Sequence, residues 1–356
     1  MRILAVRLRQ IGDVVFTTPT LGALRTHFPD ARITYLVEPA AAPVLRGNPS
    51  IDELIVAPRE RGLAGLVGEW KLIRRLRAAR FDLVLDFHGG PRASLLTWLS
   101  GAPRRIGYEV IGRAWMYTTR VPRARELRPR HSVENQWDLL ASLQMPAPTP
   151  SDNPVTMVVD PATAEAVGAR LGEAGVTADD RLIVLHVSAG NPFRRWPIPA
   201  FAEVAARLAG ADPRHRVLVT SGPSERTAAT TVIETARQQL AADAAPRILA
   251  CGEFSLSELR ALVDRAALFI GGDSGPIHIA ATSRVPIVGL YGPTLPVRSR
   301  PWRDPRWPAE AVEVADLPCR PCEQRVCVPG DFRCLTSIRP DDVVDAARRA
   351  ITRARG

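Results

Sequence analysis

The amino-acid sequence predicts an α/β protein made of two doubly wound domains that face each other across a cleft. Short apolar runs of strand length alternate with helix-length segments from one end of the chain to the other. The alternation stops at a proline-rich segment near the middle and then begins again. A chain of 356 residues is also longer than a single hydrophobic core usually serves.

The first half of the chain repeats a strand–helix unit, which is typical of parallel strands joined by crossover helices. Strands are predicted at residues 3–6, 33–37, 54–56, 83–85 and 106–108. Helices are predicted at residues 14–27, 63–79, 93–99 and 133–143. The helix at 63–79 is expected to be amphipathic, with its apolar side formed by Leu66, Trp70, Ile73 and Leu76.

Residues 145–154 contain four prolines, which predicts a stiff linker between the domains. The strand–helix pattern then restarts. Strands are predicted at residues 182–187, 217–220, 248–250, 268–270 and 287–290, and helices near 201–208, 225–240, 256–266 and 341–353. In such sheets ligands bind beyond the carboxyl ends of the strands.

The composition is that of an ordinary soluble protein, with 46% hydrophobic and 24% charged residues. No apolar run approaches the roughly 20 residues of a membrane helix. The N-terminus enters a strand pattern at once and has no signal-peptide pattern. A cytoplasmic protein is therefore expected.

The chain is strongly basic, with a formal net charge of +10. Lys71 is its one lysine, so 46 of the 47 basic residues are arginine. Genome composition can produce such a bias, but the resulting field still attracts phosphorylated sugars, an anionic membrane face or nucleic acid. Nucleic acid is the weakest of the three because no zinc finger or RNA-binding motif is present.

Residues 271–281 form the segment around which the second half is organised. Gly271 and Gly272 are expected to allow a sharp turn after a buried strand, and Asp273 or Ser274 to cap the helix that follows. Unpaired N–H groups at such a helix start suit a phosphate or pyrophosphate. The alternative is an ordinary strand–helix junction.

Asp13 follows the first strand in the same way, with Gly12 permitting the turn. Asp13 is expected either to cap the helix or to act as a general base on an acceptor hydroxyl at the edge of the cleft.

Four motifs together resemble those of a known family. They are Ile11-Gly12-Asp13 with Pro19, Trp196-Pro197, Gly272-Asp273-Ser274-Gly275 followed by His278, and the segment 288–294. Over nearly its whole length the chain is similar to the ADP-heptose lipopolysaccharide heptosyltransferases of glycosyltransferase family nine. The resemblance implies two Rossmann-like domains of the GT-B type, with residues 1–150 binding the acceptor and residues 151–356 the nucleotide-sugar donor. It also implies inversion at the sugar without a catalytic metal.

The resemblance further implies roles for single residues. Asp13 matches the family's proposed base, and Glu225 matches a position that binds the ribose hydroxyls of the donor. The loop that binds the donor matches Asp273, Ser274, Gly275 and His278. The alternative for His278 is a buried helix residue with a satisfied hydrogen bond.

Two arginines are candidates for holding the donor phosphates. Arg194 stands where the family usually has lysine, so the roles of Arg194 and Arg195 remain open between the two. The small, polar segment from Ser188 to Asn191 suits backbone approach to a phosphate. An anionic acceptor would need cations on the first domain, and the candidates are Arg59, Arg61, Arg92, Arg120 and Arg130.

Four of the five cysteines lie close together in sequence, namely Cys319, Cys322, Cys327 and Cys334. Their spacing could suit a structural zinc ion, and the alternative is a thiol-rich loop or a disulfide. The proposed chemistry needs no metal in either case.

The resemblance implies an inverting heptosyltransferase that uses ADP-heptose and an anionic lipopolysaccharide core. A basic protein at the inner face of the inner membrane fits this pair of substrates, and no nucleic acid is expected to bind. A transferase for another nucleotide sugar and a sugar-nucleotide epimerase remain alternatives. A non-enzymatic module that binds anionic polymers is a further one, and its affinity would fall steeply with salt.

Overall fold

The computed structural model describes residues 1–60, 62–123 and 129–354. Contacts between residues divide the chain into two compact units, Met1–Val158 and Val159–Gly356. The proline-rich segment packs on the first unit, because the indole Nε1 of Trp137 donates to the Pro146 carbonyl (2.7 Å). Just after this segment, the Thr156 N–H donates to the Thr18 hydroxyl (2.8 Å).

The first unit contains a six-stranded, fully parallel sheet in the order β3-β2-β1-β4-β5-β6. Its strands are β1 (Arg2–Val6), β2 (Arg32–Val37), β3 (Glu53–Val56), β4 (Leu83–Asp86), β5 (Arg104–Tyr108) and β6 (Thr119–Val121). Its helices are α1 (Ile11–Val15), α2 (Thr18–His27), α3 (Gly62–Ala78), α4 (Pro91–Leu99) and α5 (Ser132–Ala141).

The second unit repeats this architecture with a parallel sheet in the order β12-β11-β10-β7-β8-β9. Its strands are β7 (Arg181–Val187), β8 (His215–Ser221), β9 (Ile248–Leu249), β10 (Leu268–Gly272), β11 (Ile287–Tyr291) and β12 (Ala309–Glu313). Its helices are α6 (Pro161–Glu173), α7 (Ile198–Ala211), α8 (Arg226–Gln238), α9 (Leu256–Asp264), α10 (Gly275–Ala280), α11 (Pro296–Ser299), α12 (Arg333–Thr336) and α13 (Pro340–Arg353).

Two doubly wound parallel sheets are therefore confirmed. Every residue of the central strands β4, β10 and β11 is buried, as expected for strands covered by helices on both faces. Their sequences are continuous apolar runs for the same reason, which is why the pattern predicted them.

Helix α3 differs from the prediction. Leu72 and Leu76 are its buried residues, whereas Leu66 and Trp70 are exposed. The helix thus has apolar side chains on two faces, and the face that packs against the protein is the one containing Leu72 and Leu76.

Among the residues that the structure describes, no helix is both long enough and apolar enough to cross a membrane.

The sheet order brings the predicted site residues to strand ends that are neighbours within each unit. In the first unit β1 and β4 are adjacent, and Asp13 lies shortly after β1. In the second unit β8, β7, β10 and β11 are consecutive neighbours. The segments that follow these strands carry Ser188, Glu225 and Asp273.

Candidate active site

Asp13 lies in α1, just beyond the end of β1, and forms an ion pair with Arg7. Its side chain is 33% exposed and that of Arg7 is 11% exposed. The helix begins at Ile11, so Gly12 lies within it and Asp13 does not cap it. The carboxylate is instead held by Arg7 and is accessible to solvent.

Arg7 is fixed from its other side by the backbone, because it also donates to the Phe87 carbonyl. Burial alone would lower the pKa of Arg7, but the nearby Asp13 carboxylate outweighs it and raises the pKa above the usual value. The Arg7 guanidinium therefore stays charged. Sequence reasoning missed Arg7 as a site residue, and the available signal was its position directly after the first strand.

The backbone of Asp13 is held as firmly as its side chain. Its carbonyl accepts hydrogen bonds from the Thr17 hydroxyl (2.8 Å) and the Gln136 amide (3.1 Å). Asp13 opens onto a cavity of about 210 Å³. The cavity is lined by Arg7, Asp13, Tyr108, Arg123, Ser132, Asn135 and Gln136. This lining is polar and offers hydrogen-bonding groups to a hydroxyl-rich ligand.

Asp86 shapes the neighbouring loop after β4. Its carboxylate accepts hydrogen bonds from the N–H groups of His88 and Gly89 (both 2.9 Å) and from the Tyr117 hydroxyl (2.6 Å). Burial raises the pKa of Asp86. Burial, reinforced by Arg7, also lowers the pKa of His88 to about 4, so this imidazole is neutral at pH 7.

In the second unit, Asp273 follows β10 and is almost fully buried. Its carboxylate accepts a hydrogen bond from the Thr294 hydroxyl, and it lies 3.4 Å from Arg194 Nη1 and 3.6 Å from His278 Nε2. Burial would raise the pKa of Asp273, but His278 and Arg194 outweigh it and lower the pKa. The charged Asp273 thus links the segment after β7, helix α10 and the segment after β11.

The expected capping and turn at this junction are wrong in detail. Ser274 is the residue before α10, but its side chain makes no cap hydrogen bond and donates to the Gly272 carbonyl (3.3 Å). Gly271 and Gly272 belong to β10. A Cβ atom at Gly272 would lie 3.0 Å from the Ser188 hydroxyl, which accepts a hydrogen bond from the Gly272 N–H. Because Gly272 has no side chain, the Ser188 hydroxyl can approach its backbone closely.

Arg194 and Arg195 contact different parts of the site. Arg194 donates to the Asp273 carbonyl (2.9 Å) and to the Gln324 side chain (2.7 Å). Arg195 donates to the Ala189 carbonyl (2.8 Å) and lies 3.8 Å from the carboxylate of Glu225. Both guanidinium groups are held in place.

The buried Glu225 accepts a hydrogen bond from the Ser224 hydroxyl (2.6 Å). The predicted donor-binding residues of the second unit thus all follow the carboxyl ends of the neighbouring strands β8, β7 and β10. They are Ser188, Arg194, Arg195, Glu225, Asp273, Ser274, Gly275 and His278.

Among the described arginines predicted to bind the acceptor, Arg59 and Arg92 both lie beside Glu38, whereas Arg130 pairs with Asp138. Arg92 is held by Glu38, Glu69 and the Pro58 carbonyl. Arg130 is held by Asn135 and Asp138.

Arg59, which is largely exposed, lies 3.7 Å from Glu38, and Arg120 is exposed in β6. Arg61 lies outside the described residues. Arg92 and Arg130 therefore serve the local structure, whereas Arg59 and Arg120 are accessible.

The four clustered cysteines line one largely apolar cavity of about 380 Å³, together with Phe193 and Phe332. All four are free thiols. Burial raises the pKa of the Cys334 thiol. In the described part of the chain, no three His, Cys, Asp or Glu side chains are placed to hold a metal ion. Structural zinc at these residues stays a prediction.

A family model described as glycosyltransferase family 9 (heptosyltransferase) matches residues 69–332. The chain belongs to this family. It is 29% identical over 320 residues to lipopolysaccharide heptosyltransferase 3 of Escherichia coli, covering 88% of this chain and 90% of that protein.

Solved structures show the same fold. A glycosyltransferase family 9 protein from Veillonella parvula superposes with a TM-score of 0.82 at 26% identity, covering 99% of this chain and 97% of that one. The ADP-heptose lipopolysaccharide heptosyltransferase II of E. coli superposes with a TM-score of 0.78 at 19% identity, covering both chains completely (100% of each). The protein is therefore a glycosyltransferase with two Rossmann-like units.

Proposed function

We propose that this glycosyltransferase moves a heptose from ADP-heptose to a hydroxyl group of the lipopolysaccharide inner core, with inversion at the anomeric carbon. The observation that carries the proposal is the accessible Asp13 carboxylate, held by Arg7 beside a polar cavity. Family membership and the likeness to an E. coli lipopolysaccharide heptosyltransferase support the choice of sugar and acceptor.

In the proposed reaction, Asp13 takes the proton of the acceptor hydroxyl as its oxygen attacks the anomeric carbon. A new carbon–oxygen bond forms while the bond between the anomeric carbon and the phosphate oxygen breaks. ADP leaves with the bonding electron pair. Attack from the face opposite to the leaving group inverts the anomeric centre. Asp13 then releases the proton to solvent before the next transfer.

The second unit is proposed to bind the donor. Arg194 and Arg195 are fixed cations, and such cations stabilise charge that develops on a departing diphosphate. His278 lies beside Asp273 and can direct a donor hydrogen bond to the diphosphate or the sugar. Glu225 has two carboxylate oxygens that suit the ribose hydroxyls. Ser188, Ser274 and Gly275 complete this surface with small residues.

We propose that transfer needs no metal ion, since arginine and histidine side chains can supply the positive charge that the leaving group requires. A zinc ion on Cys319, Cys322, Cys327 and Cys334 would be structural. Turnover is expected to survive EDTA, and loss of turnover with intact fold would contradict this part of the proposal.

An anionic acceptor would meet the accessible Arg59 and Arg120 on the first unit. Because the proposed acceptor is anchored in a lipid, we also place the enzyme at the cytoplasmic face of the inner membrane. Nucleic acid has no part in this function.

The decisive experiment measures transfer from a panel of nucleotide sugars to core acceptors by wild type, Asp13→Asn and Asp13→Ala. Loss of the base is expected to lower kcat by about 10²–10⁴-fold, while the Kd for ADP stays within about twofold because the donor residues lie in the second unit. The exposed Asp30 provides a matched control, Asp30→Asn.

Unchanged kcat in both Asp13 variants would remove Asp13 as the base. If wild type turns over only with another nucleotide sugar, that sugar would replace ADP-heptose as the proposed donor. Conversion of the nucleotide sugar without any acceptor would point to an epimerase.

A further inference from the structure

Helix α3 presents an exposed apolar face to solvent. Leu63 is 82% exposed, Leu66 69%, Val67 51% and Trp70 57%. Their spacing of three and four residues places them on one side of the helix. The helix's buried residues, Leu72 and Leu76, lie on the opposite side. One face therefore anchors the helix to the protein, while none of the residues that the structure describes covers the second apolar face.

Basic side chains continue the same face for two further turns. Arg74 stacks over the Trp70 ring, with its guanidinium carbon 4.7 Å from the ring centroid. Arg77 follows three residues later, and Lys71 lies beside them; all three are exposed. None of the three forms an ion pair with an acidic side chain in the described ranges 1–60, 62–123 and 129–354. We call Leu63, Leu66, Val67, Trp70, Arg74 and Arg77 the α3 face.

The neighbouring helix extends the apolar character of this surface. Helix α4 packs against α3 and also against residues 114–116. Trp98 of α4 and Trp115 are exposed and meet edge to face, with ring centroids 5.3 Å apart. Three exposed tryptophans on adjoining elements are unusual for a surface in water.

We propose that the α3 face docks on the surface of a bilayer that contains anionic phospholipid. Tryptophan and leucine partition into the boundary between headgroups and acyl chains, and unpaired arginines bind the lipid phosphates. An apolar patch alone would suit many partners, but unpaired cations at the end of the same face select an anionic one. The reason for docking rests on the proposed function, because the acceptor is then held in a membrane.

The test is sedimentation of the full chain with vesicles of phosphatidylethanolamine and phosphatidylglycerol, compared with vesicles of phosphatidylcholine alone. Wild type is expected to bind the anionic vesicles and to lose binding as salt rises. Each basic residue near an anionic surface contributes about fivefold to partitioning, so Arg74→Gln with Arg77→Gln should weaken binding by about 25-fold.

The apolar contribution is tested by Leu66→Ser with Trp70→Ser, which should weaken binding by about tenfold or more, since both side chains lose burial in the lipid boundary. Two controls lie on the second unit. Arg214→Gln with Arg306→Gln makes the same charge change at exposed positions, and Val326→Ser with Val328→Ser removes exposed apolar side chains elsewhere. Both controls should bind vesicles as wild type does.

The proposal would be overturned if wild type does not bind the anionic vesicles. It would also be overturned if the α3-face variants bind them as wild type does. Concentration-dependent dimerisation that the Leu66→Ser and Trp70→Ser changes abolish would overturn it as well, because the face would then join two copies. Transfer to a water-soluble, deacylated acceptor separates the two proposals. The α3-face variants should retain it, whereas failure of wild type in that assay would count against the proposed function alone.

Discussion

Arg194 binds Asp273 at two points. Its Nη1 donates to the Asp273 carbonyl oxygen at 2.9 Å and lies 3.4 Å from the carboxylate of the same residue. One guanidinium thus orients the loop after β10 and also balances its buried charge. Arg195 is held mainly by backbone carbonyls and has no such link to Asp273.

This difference predicts that Arg194, rather than Arg195, is the main ligand of the donor phosphates. Arg194→Ala is expected to weaken ADP binding by about 10–100-fold, the cost of one hydrogen bond to a charged group, and to lower kcat as well. Arg194→Lys should recover only part of the loss because lysine cannot make the forked contact. Calorimetric ADP titration checks this, with Arg306→Ala as the control. A silent Arg194→Ala with an impaired Arg195→Ala would reverse the assignment.

The Arg7–Asp13 pair makes a prediction about rate. In Arg7→Ala the Asp13 carboxylate loses the cation that fixes its position, so kcat should fall by about 10–100-fold while the Kd for ADP stays within about twofold. Arg7→Lys keeps the charge and should recover part of the loss. Steady-state kinetics and calorimetric ADP titration measure both quantities, and an unchanged kcat in Arg7→Ala would show that the ion pair does not position Asp13.

Asp273 should stabilise the fold in a pH-dependent way. Its pKa is lowered in the folded protein despite burial, because His278 and Arg194 favour the carboxylate. Its stabilising effect is therefore present above the unfolded-state pKa and is lost as pH falls through the folded-state pKa. Asp273→Asn is expected to cost about 2 kcal/mol at pH 7.

Denaturant unfolding from pH 7 to pH 3 checks this expectation. The difference between Asp273→Asn and wild type should shrink toward the acid end. A constant difference across that range would rule out the carboxylate as its source.

His186 should also lower the stability of the fold on acidification, but through burial rather than through ion pairing. Burial in β7 lowers its pKa from 6.5 to about 4, and its Nδ1 lies 3.0 Å from the Thr220 hydroxyl. Between those pH values the unfolded state binds a proton that the folded state does not, so stability falls on acidification by at most about 3 kcal/mol.

The His186→Gln variant removes this titration and should flatten the stability curve between pH 6.5 and pH 4. Urea unfolding at several pH values measures the slope. Parallel curves for variant and wild type would show that other groups cause the acid sensitivity.

The strands and their alternation with helices could be predicted because buried parallel strands are continuous apolar runs. The edge strands β6 and β12 were missed, since exposed polar residues interrupt them. The outward face of α3 was mispredicted for a different reason: two of its faces are apolar, and sequence periodicity does not say which one packs.

In the candidate site, some residues could be predicted from the sequence and others could not. Position after a strand singled out Asp13 and Asp273, whose roles stay predictions. The partners that hold them could not be found in this way. Thr294 is distant from Asp273 in sequence and meets it only because β10 and β11 are neighbours. Arg7 does follow β1 directly, but as one of 46 arginines it was not singled out by that position alone.

Helix α13 has a consequence for how the protein is made. It packs against α7 and against strands β10, β11 and β12, and it buries Val343, Val344, Ala346, Ala347 and Ala350. During synthesis the first unit can fold as soon as it has left the ribosome. The hydrophobic core of the second unit stays incomplete until residue 350 of α13 has also emerged. A nascent chain that stalls before α13 would expose that apolar surface to chaperones and proteases, even though every residue of the candidate site had already been synthesised.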